Sequence, residues 1–160
     1  MATDIRFVSA TPTLSASPDY STGDLMGTSY LTFTGAVPTN TGTGVLTSVT
    51  ITDKSGQVGN CDLALFTKAP TATTYTDNSA FAPDNADLSN VCAVVNLGTS
   101  NGFTFSANGV KHIASLAVPV RGLSASNGPS GTLYGVLVSR GTINIASASD
   151  LTITLGIVGS

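Results

Sequence analysis

The chain has 160 residues, a formal net charge of −3 and only 9% charged residues, and all nine of its acidic side chains are Asp. That balance excludes a nucleic-acid binder acting through a concentrated cationic surface, because the six Lys and Arg residues are scattered and never form a run. A basic amphipathic membrane-surface helix is excluded on the same ground, and no apolar run approaches the roughly 20 residues that span a bilayer as a helix.

Ser and Thr together make up roughly a quarter of the chain, well above ordinary usage. Thr and Val suit a pleated, half-buried surface, whereas Glu is absent and Lys rare, so exposed helix faces have little to be made from. The composition therefore predicts a single all-β domain over residues 1–160, with residues 1–25 as an extended N-terminal arm. Positive mean hydropathy with so little charge predicts that part of the surface is hidden against neighbouring chains, as in an oligomer or a lattice. No signal peptide is visible in M-A-T-D-I-R-F-V-S-A, so folding in the cytosol with reduced thiols is expected.

In chain order, Asp4 to Ala10 alternates Ile5, Phe7 and Ser9 against Arg6 and Val8 and predicts a first strand. A loop follows with Pro12 and Pro18, then a turn cluster in which Asp19 and Asp24 flank Tyr20. A second strand is predicted over Gly27 to Phe33, and a third over Val45 to Thr52. In the third, Val45, Thr47, Val49 and Ile51 share one face.

The segment from Cys61 to Leu97 organises the rest. Unbroken apolar runs at Leu63–Phe66 and Val91–Val95 predict two core strands, joined by a polar loop that carries most of the helical signals. Asp77 is placed to cap a short turn through Phe81, and Pro83 to open a second turn running to Ser89. Phe81 and Leu88 would plug this loop onto the sandwich, with Tyr75 and Asp77 as further loop or interface residues. Cys61 and Cys92, at the edges of the two runs, are expected to lie near each other as buried thiols.

Beyond Leu97, a hairpin is predicted from Phe103–Ser106 and Val110–Val118 around Asn108-Gly109. Leu123 to Gly131 reads as a flexible loop. Closing strands follow at Leu133–Ser139, Thr142–Ala146 and Leu151–Val158. About nine strands at short spacing favour a β-sandwich with jelly-roll or Greek-key wiring.

Chemistry is sparse. His112 is the single histidine, and no G-x-S-x-G elbow accompanies it, so it reads as a surface or edge-strand residue rather than a catalytic base. Asp84 and Asp87 read as first-turn helix residues, since the D-x-[DN]-x-[DN]-G calcium pattern is missing. Two Cys and one His do not make a structural zinc site. No catalytic residue, metal or cofactor is expected. Tyr20, Tyr30, Tyr75 and Tyr134 could form a sugar-binding platform, although core or subunit contact is the stronger reading.

Five motifs in the organising segment carry a resemblance: L-A-L-F, K-A-P-T, Y-T-D-N-S-A-F, D-N-A-D-L-S-N-V and V-V. With Y-S-T-G-D-L-M-G at Tyr20 to Gly27, L-Y-G-V-L-V-S-R-G-T from Leu133 and S-A-S-D-L-T-I-T-L-G from Ser147, this motif order resembles a group of small tailed-bacteriophage virion proteins. The resemblance spans the chain from about Tyr20 to its end and implies a capsid decoration (cement) or related head protein on the head exterior, assembled in the host cytoplasm. It implies binding to a major-capsid lattice as a homotrimer, without nucleic acid or membrane, and it brings no enzymatic residues. The alternatives are a tail, neck or fibre protein or a receptor- or carbohydrate-binding sandwich; a hydrolase built on His112 ranks last.

Overall fold

The computed structural model describes residues 4–15, 18–57, 59–98, 102–105, 108–124 and 126–159. Ten strands and one short helix form the regular structure among them. The strands are β1 (Asp4–Ala10), β2 (Leu31–Phe33), β3 (Thr43–Asp53), β4 (Cys61–Phe66), β5 (Val91–Leu97), β6 (Gly102–Phe105), β7 (Asn108–Ile113), β8 (Val118–Arg121), β9 (Leu133–Ser139) and β10 (Leu151–Gly159); α1 is Asn85–Leu88.

The strands form two antiparallel sheets. One has six strands in the order β1-β10-β3-β7-β6, with β8 also on β3; the other has four, in the order β2-β9-β4-β5. β8 pairs with the first part of β3 (Thr43–Leu46) and β7 with its last part (Val49–Asp53), so the two act as halves of one interrupted strand. Counted that way there are nine strands, of which the first and last (β1 and β10) are neighbours in one sheet and the second and eighth (β2 and β9) in the other. This is jelly-roll wiring, in which long crossovers tie the two sheets together.

Alternating side chains explain the core. Leu46, Val49 and Ile51 of β3, Leu151, Ile153, Leu155 and Ile157 of β10, Leu63 and Leu65 of β4 and Leu133 and Leu137 of β9 all point between the sheets and are at most 1% exposed. At about 25 cal/mol per Å² of apolar surface removed from water, this layer is the main source of stability.

Several sequence expectations are corrected by this arrangement. The face of β3 expected to carry Val45 with Val49 and Ile51 is split: Leu46 is buried and Val45 is exposed. The cause is a register shift against β10, where Gly156 pairs with Ser48 but Ile157 pairs with Leu46. One extra residue on β3 flips the side-chain parity on either side of Thr47. The expected strand at 142–146 is absent; Ile143 makes only an isolated bridge to Tyr20. The second strand shrinks to Leu31–Phe33, because Gly27 adopts a positive φ of 130° that ends pairing. The predicted strand 110–118 breaks at Ser115, which has a φ of 58°. Residues 106–107 of the expected hairpin link lie outside the described residues.

The loop read as flexible closes on itself through a Leu123–Pro129 bridge and a Ser124 N–H to Gly128 O hydrogen bond. Cys61 and Cys92 are not near each other. Cys61 pairs with Leu97 at one end of the β4–β5 ladder and Phe66 with Val91 at the other, which places the free thiols at opposite ends.

Candidate interaction surface

The two sheets leave two outer faces, and the chain treats them differently. On the four-stranded sheet, Ala64 and Phe66 of β4, Tyr134, Val136 and Val138 of β9 and Val91 of β5 face outward and join a second hydrophobic cluster. The loop from Lys68 to Asn90 folds over them. Phe81 and Tyr75 are half-buried against this cluster, while Leu25 and Phe66 are sealed within it. Tyr30 meets Tyr75 edge-on with ring centroids 5.7 Å apart and Tyr134 at 5.5 Å. Such edge-to-face geometry is favourable for aromatic quadrupoles.

Polar anchors hold the cover down. Asp77 does not cap a helical turn, as the spacing suggested. Its Oδ1 accepts from the Gly27 N–H at 2.6 Å and from the Tyr20 hydroxyl at 2.8 Å, and the same hydroxyl accepts from the Ser15 N–H at 2.8 Å. Tyr20 is fully buried, so it is no sugar platform. Burial and the adjacent Asp77 carboxylate push its phenol pKa well above the ordinary value. Backbone bonds from Leu25 N–H to Ser79 O, from Asn78 N–H to Leu25 O and from Phe81 N–H to Gly23 O stitch the same two segments together.

The helical turn is shorter than predicted. Asp84 is its N-cap, accepting from the Ala86 N–H at 2.8 Å. Asp87 is buried instead of lying on an exposed first turn, and its Oδ2 accepts from the Thr73 N–H at 2.8 Å and hydroxyl at 2.7 Å. Leu88 is not a plug: it is 48% exposed, because a helix of four residues turns that position outward once Asp87 faces in. Tyr75 donates its hydroxyl to Pro70 O at 2.7 Å.

Among the described residues, no such cover lies over the outer face of the six-stranded sheet. Cross-strand register places Ile5 beside Val158, Val158 beside Val45 and Val45 beside Pro119, an apolar row across β1, β10, β3 and β8. Ile5 is 65% exposed and Phe7 72%. Phe7 sits over Gly156, where a Cβ would come within 3.2 Å of the Phe7 ring. The next row is Ser9, Thr154, Thr50 and His112, and beyond it lie Thr152, Thr52 and Val110. Ser9 and Thr154 share a hydroxyl–hydroxyl bond of 2.7 Å. His112 is the one ionisable side chain in these rows; its Nδ1 meets the Thr50 hydroxyl at 2.7 Å, and no described carboxylate bonds to it.

Two further features bear on chemistry. A cleft of about 440 Å³ lies between β8 and β5, with Arg121, Cys92, Asn90 and Pro119 among its walls. Inside the core, Lys111 of β7 is 3% exposed and reaches across the sandwich to donate to Gly98 O at 3.1 Å. Burial lowers the Lys111 pKa, and burial raises the Cys61 thiol to about 12. Among the described residues no three His, Cys, Asp or Glu side chains converge to hold a metal ion. Nor is any described helix long and apolar enough to cross a membrane.

Sequence reasoning found the loop residues but missed Tyr20 as their anchor and the apolar row as a surface. Tyr20 had a signal in being the one aromatic of the N-terminal turn cluster, whereas the row depends on strand order, which has none. The chain matches no known protein-family model, and no curated protein is similar to it.

Proposed function

We propose that this chain is a virion structural protein of a tailed bacteriophage, a decoration protein that docks on the assembled major-capsid lattice of the head and stabilises it. The observation that carries the reading is the uncovered outer face of the six-stranded sheet, with Ile5, Phe7, Val158, Val45 and Pro119 in one neutral apolar patch backed by Ser and Thr. Contiguous apolar surface on a soluble domain marks an interaction site, and a rim of short hydroxyls suits a dry, uncharged contact. The motif order from Tyr20 onward supports a phage head protein, and jelly rolls recur in viral capsid proteins, an analogy of fold rather than of site. Homo-oligomerisation and an address on the head exterior belong to the same reading.

Purified particles test it. The chain is expected in hundreds of copies per particle, in line with one or more per capsid capsomer, and its absence from particles would end the proposal. Phe7→Asp combined with Val45→Asp is expected to abolish rebinding to stripped heads while leaving the fold intact.

The cleft beside Arg121 favours a second reading, a receptor- or carbohydrate-binding module on the tail or fibre. Few copies per particle, with glycan binding lost in Arg121→Ala, would select it.

A further inference from the structure

We infer that the free edge of β1 is a self-pairing surface, and that two copies of the chain join there about a two-fold axis to make one continuous sheet. β1 ends the six-stranded sheet, with β10 on one side and no strand of the described residues paired on the other. Its seven residues contain no Pro or Lys, and its pairing with β10 runs from Asp4 to Ala10 without a bulge. These are the devices by which proteins ordinarily blunt an open edge. The one cation, Arg6, does not guard it. Its guanidinium is paired with Asp4 and donates to Gly35 O at 3.0 Å and Val37 O at 3.3 Å, so the charge is folded back onto the molecule.

The strand is complementary to itself in one antiparallel register. Centring the pair on Phe7 sets Asp4 opposite Ala10, Ile5 opposite Ser9, Arg6 opposite Val8 and Phe7 opposite its own copy, which uses all seven residues. No like charges face each other. Outward side chains meet outward ones, so Ile5 and Phe7, 65% and 72% exposed, stack against Ser9 and Phe7 of the second copy. Shifting the axis by one residue toward the N-terminus would set Arg6 on Arg6 and shorten the ladder. A second copy is therefore the occupant that this edge fits, with main-chain hydrogen bonds for affinity and the Phe7 pair for register. The two-fold replaces the threefold ring expected from the resemblance. The inference rests on the edge itself, not on the virion reading, and a pair would present both apolar rows on one face.

The test is sedimentation of the full chain at micromolar concentration, with thermal melts alongside. Wild type is expected at twice the monomer mass. Phe7→Arg, which places like charges at the axis, is expected to weaken association about tenfold or more, while its melt matches wild type at concentrations low enough for both to be monomeric. Ile5→Lys is expected to weaken it too, and adding Ser9→Asp to restore it, because positions 5 and 9 face each other only in this register. With oxidised glutathione added as the two-electron oxidant, Phe7→Cys is expected to form a disulfide across the axis, giving a covalent dimer and two equivalents of reduced glutathione. A monomeric or trimeric wild type overturns the inference, as does a Phe7→Arg protein that remains paired. Particles that carry a monomeric chain would refute the pairing alone; a paired chain missing from particles would refute the virion role alone.

Discussion

The outer faces of the two sheets differ in who covers them. The four-stranded sheet turns Phe66, Val136 and Val138 outward, and the chain buries them under its own loop from Lys68 to Asn90. The six-stranded sheet turns Ile5, Phe7, Val158 and Val45 outward, and the described chain supplies nothing to cover them. Both patches contain large apolar side chains, and they differ in whether the described chain covers them. The loop covers most of one face, with Val94 of β5 left 62% exposed beside Ala64; among the described residues the other face is bare.

Truncating the phenylalanine of each patch sharpens the contrast most. Phe66→Ala, beneath the cover and 1% exposed, is expected to destabilise the protein by about 3 to 5 kcal/mol in denaturant unfolding. Phe7→Ala, 72% exposed, is expected to change stability by no more than about 0.5 kcal/mol while weakening docking and pairing. Equal effects would mean that the two faces are covered alike.

The anchors come next. Asp77→Ala strands the Tyr20 hydroxyl and the Gly27 N–H in a buried setting, with an expected loss of about 1 to 3 kcal/mol. Within the cover, Phe81→Ala is expected to destabilise by about 1 to 2 kcal/mol, and Leu88→Ala, 48% exposed, by less than about 0.5 kcal/mol. A large loss at Leu88 and none at Phe81 would reverse the assignment of the plug.

A slope with pH bears on the core beneath both faces. Cys61 is raised to about 12 by burial from an ordinary value of 9.0, so above pH 9 the unfolded chain releases a proton that the folded chain keeps. Stability from this group is full below pH 9 and falls as pH rises toward 12, by at most about 1.4 kcal/mol per pH unit. Lys111 acts in the opposite sense. Its lowered pKa makes the folded state shed a proton before the unfolded one, so its burial penalty is relieved as pH approaches 10.5. Melts between pH 8 and 11 are expected to show a flatter fall for Cys61→Ala than for wild type and a steeper one for Lys111→Met.

Much of the fold was legible along the chain. β1 and β9 run over the residues that alternation or an apolar run predicted, and the strands flanking the organising loop appear where unbroken apolar runs placed them. Local signals failed where a distant residue decides. Val45 is exposed because β10 slips against β3 at Gly156, and nothing near Val45 encodes that slip. Residues 142–146 alternate like a strand, yet their pairing is limited to an isolated bridge from Ile143 to Tyr20. The candidate site was half visible: Tyr75, Asp77 and Phe81 were named from the loop's turn chemistry, but Asp77's partners are Tyr20 and Gly27, far away in sequence.

Composition and periodicity by themselves determined that the chain is all-β, thinly charged and built on two core strands around a structured loop. Those properties follow from the near absence of helix-favouring charged residues and from side chains alternating every second position. Only the tertiary structure decided which sheet face the loop covers and which apolar row stays bare. Exposure is a property of strand order, and strand order is set by the closing of jelly-roll crossovers between residues as distant as Ile5 and Val158.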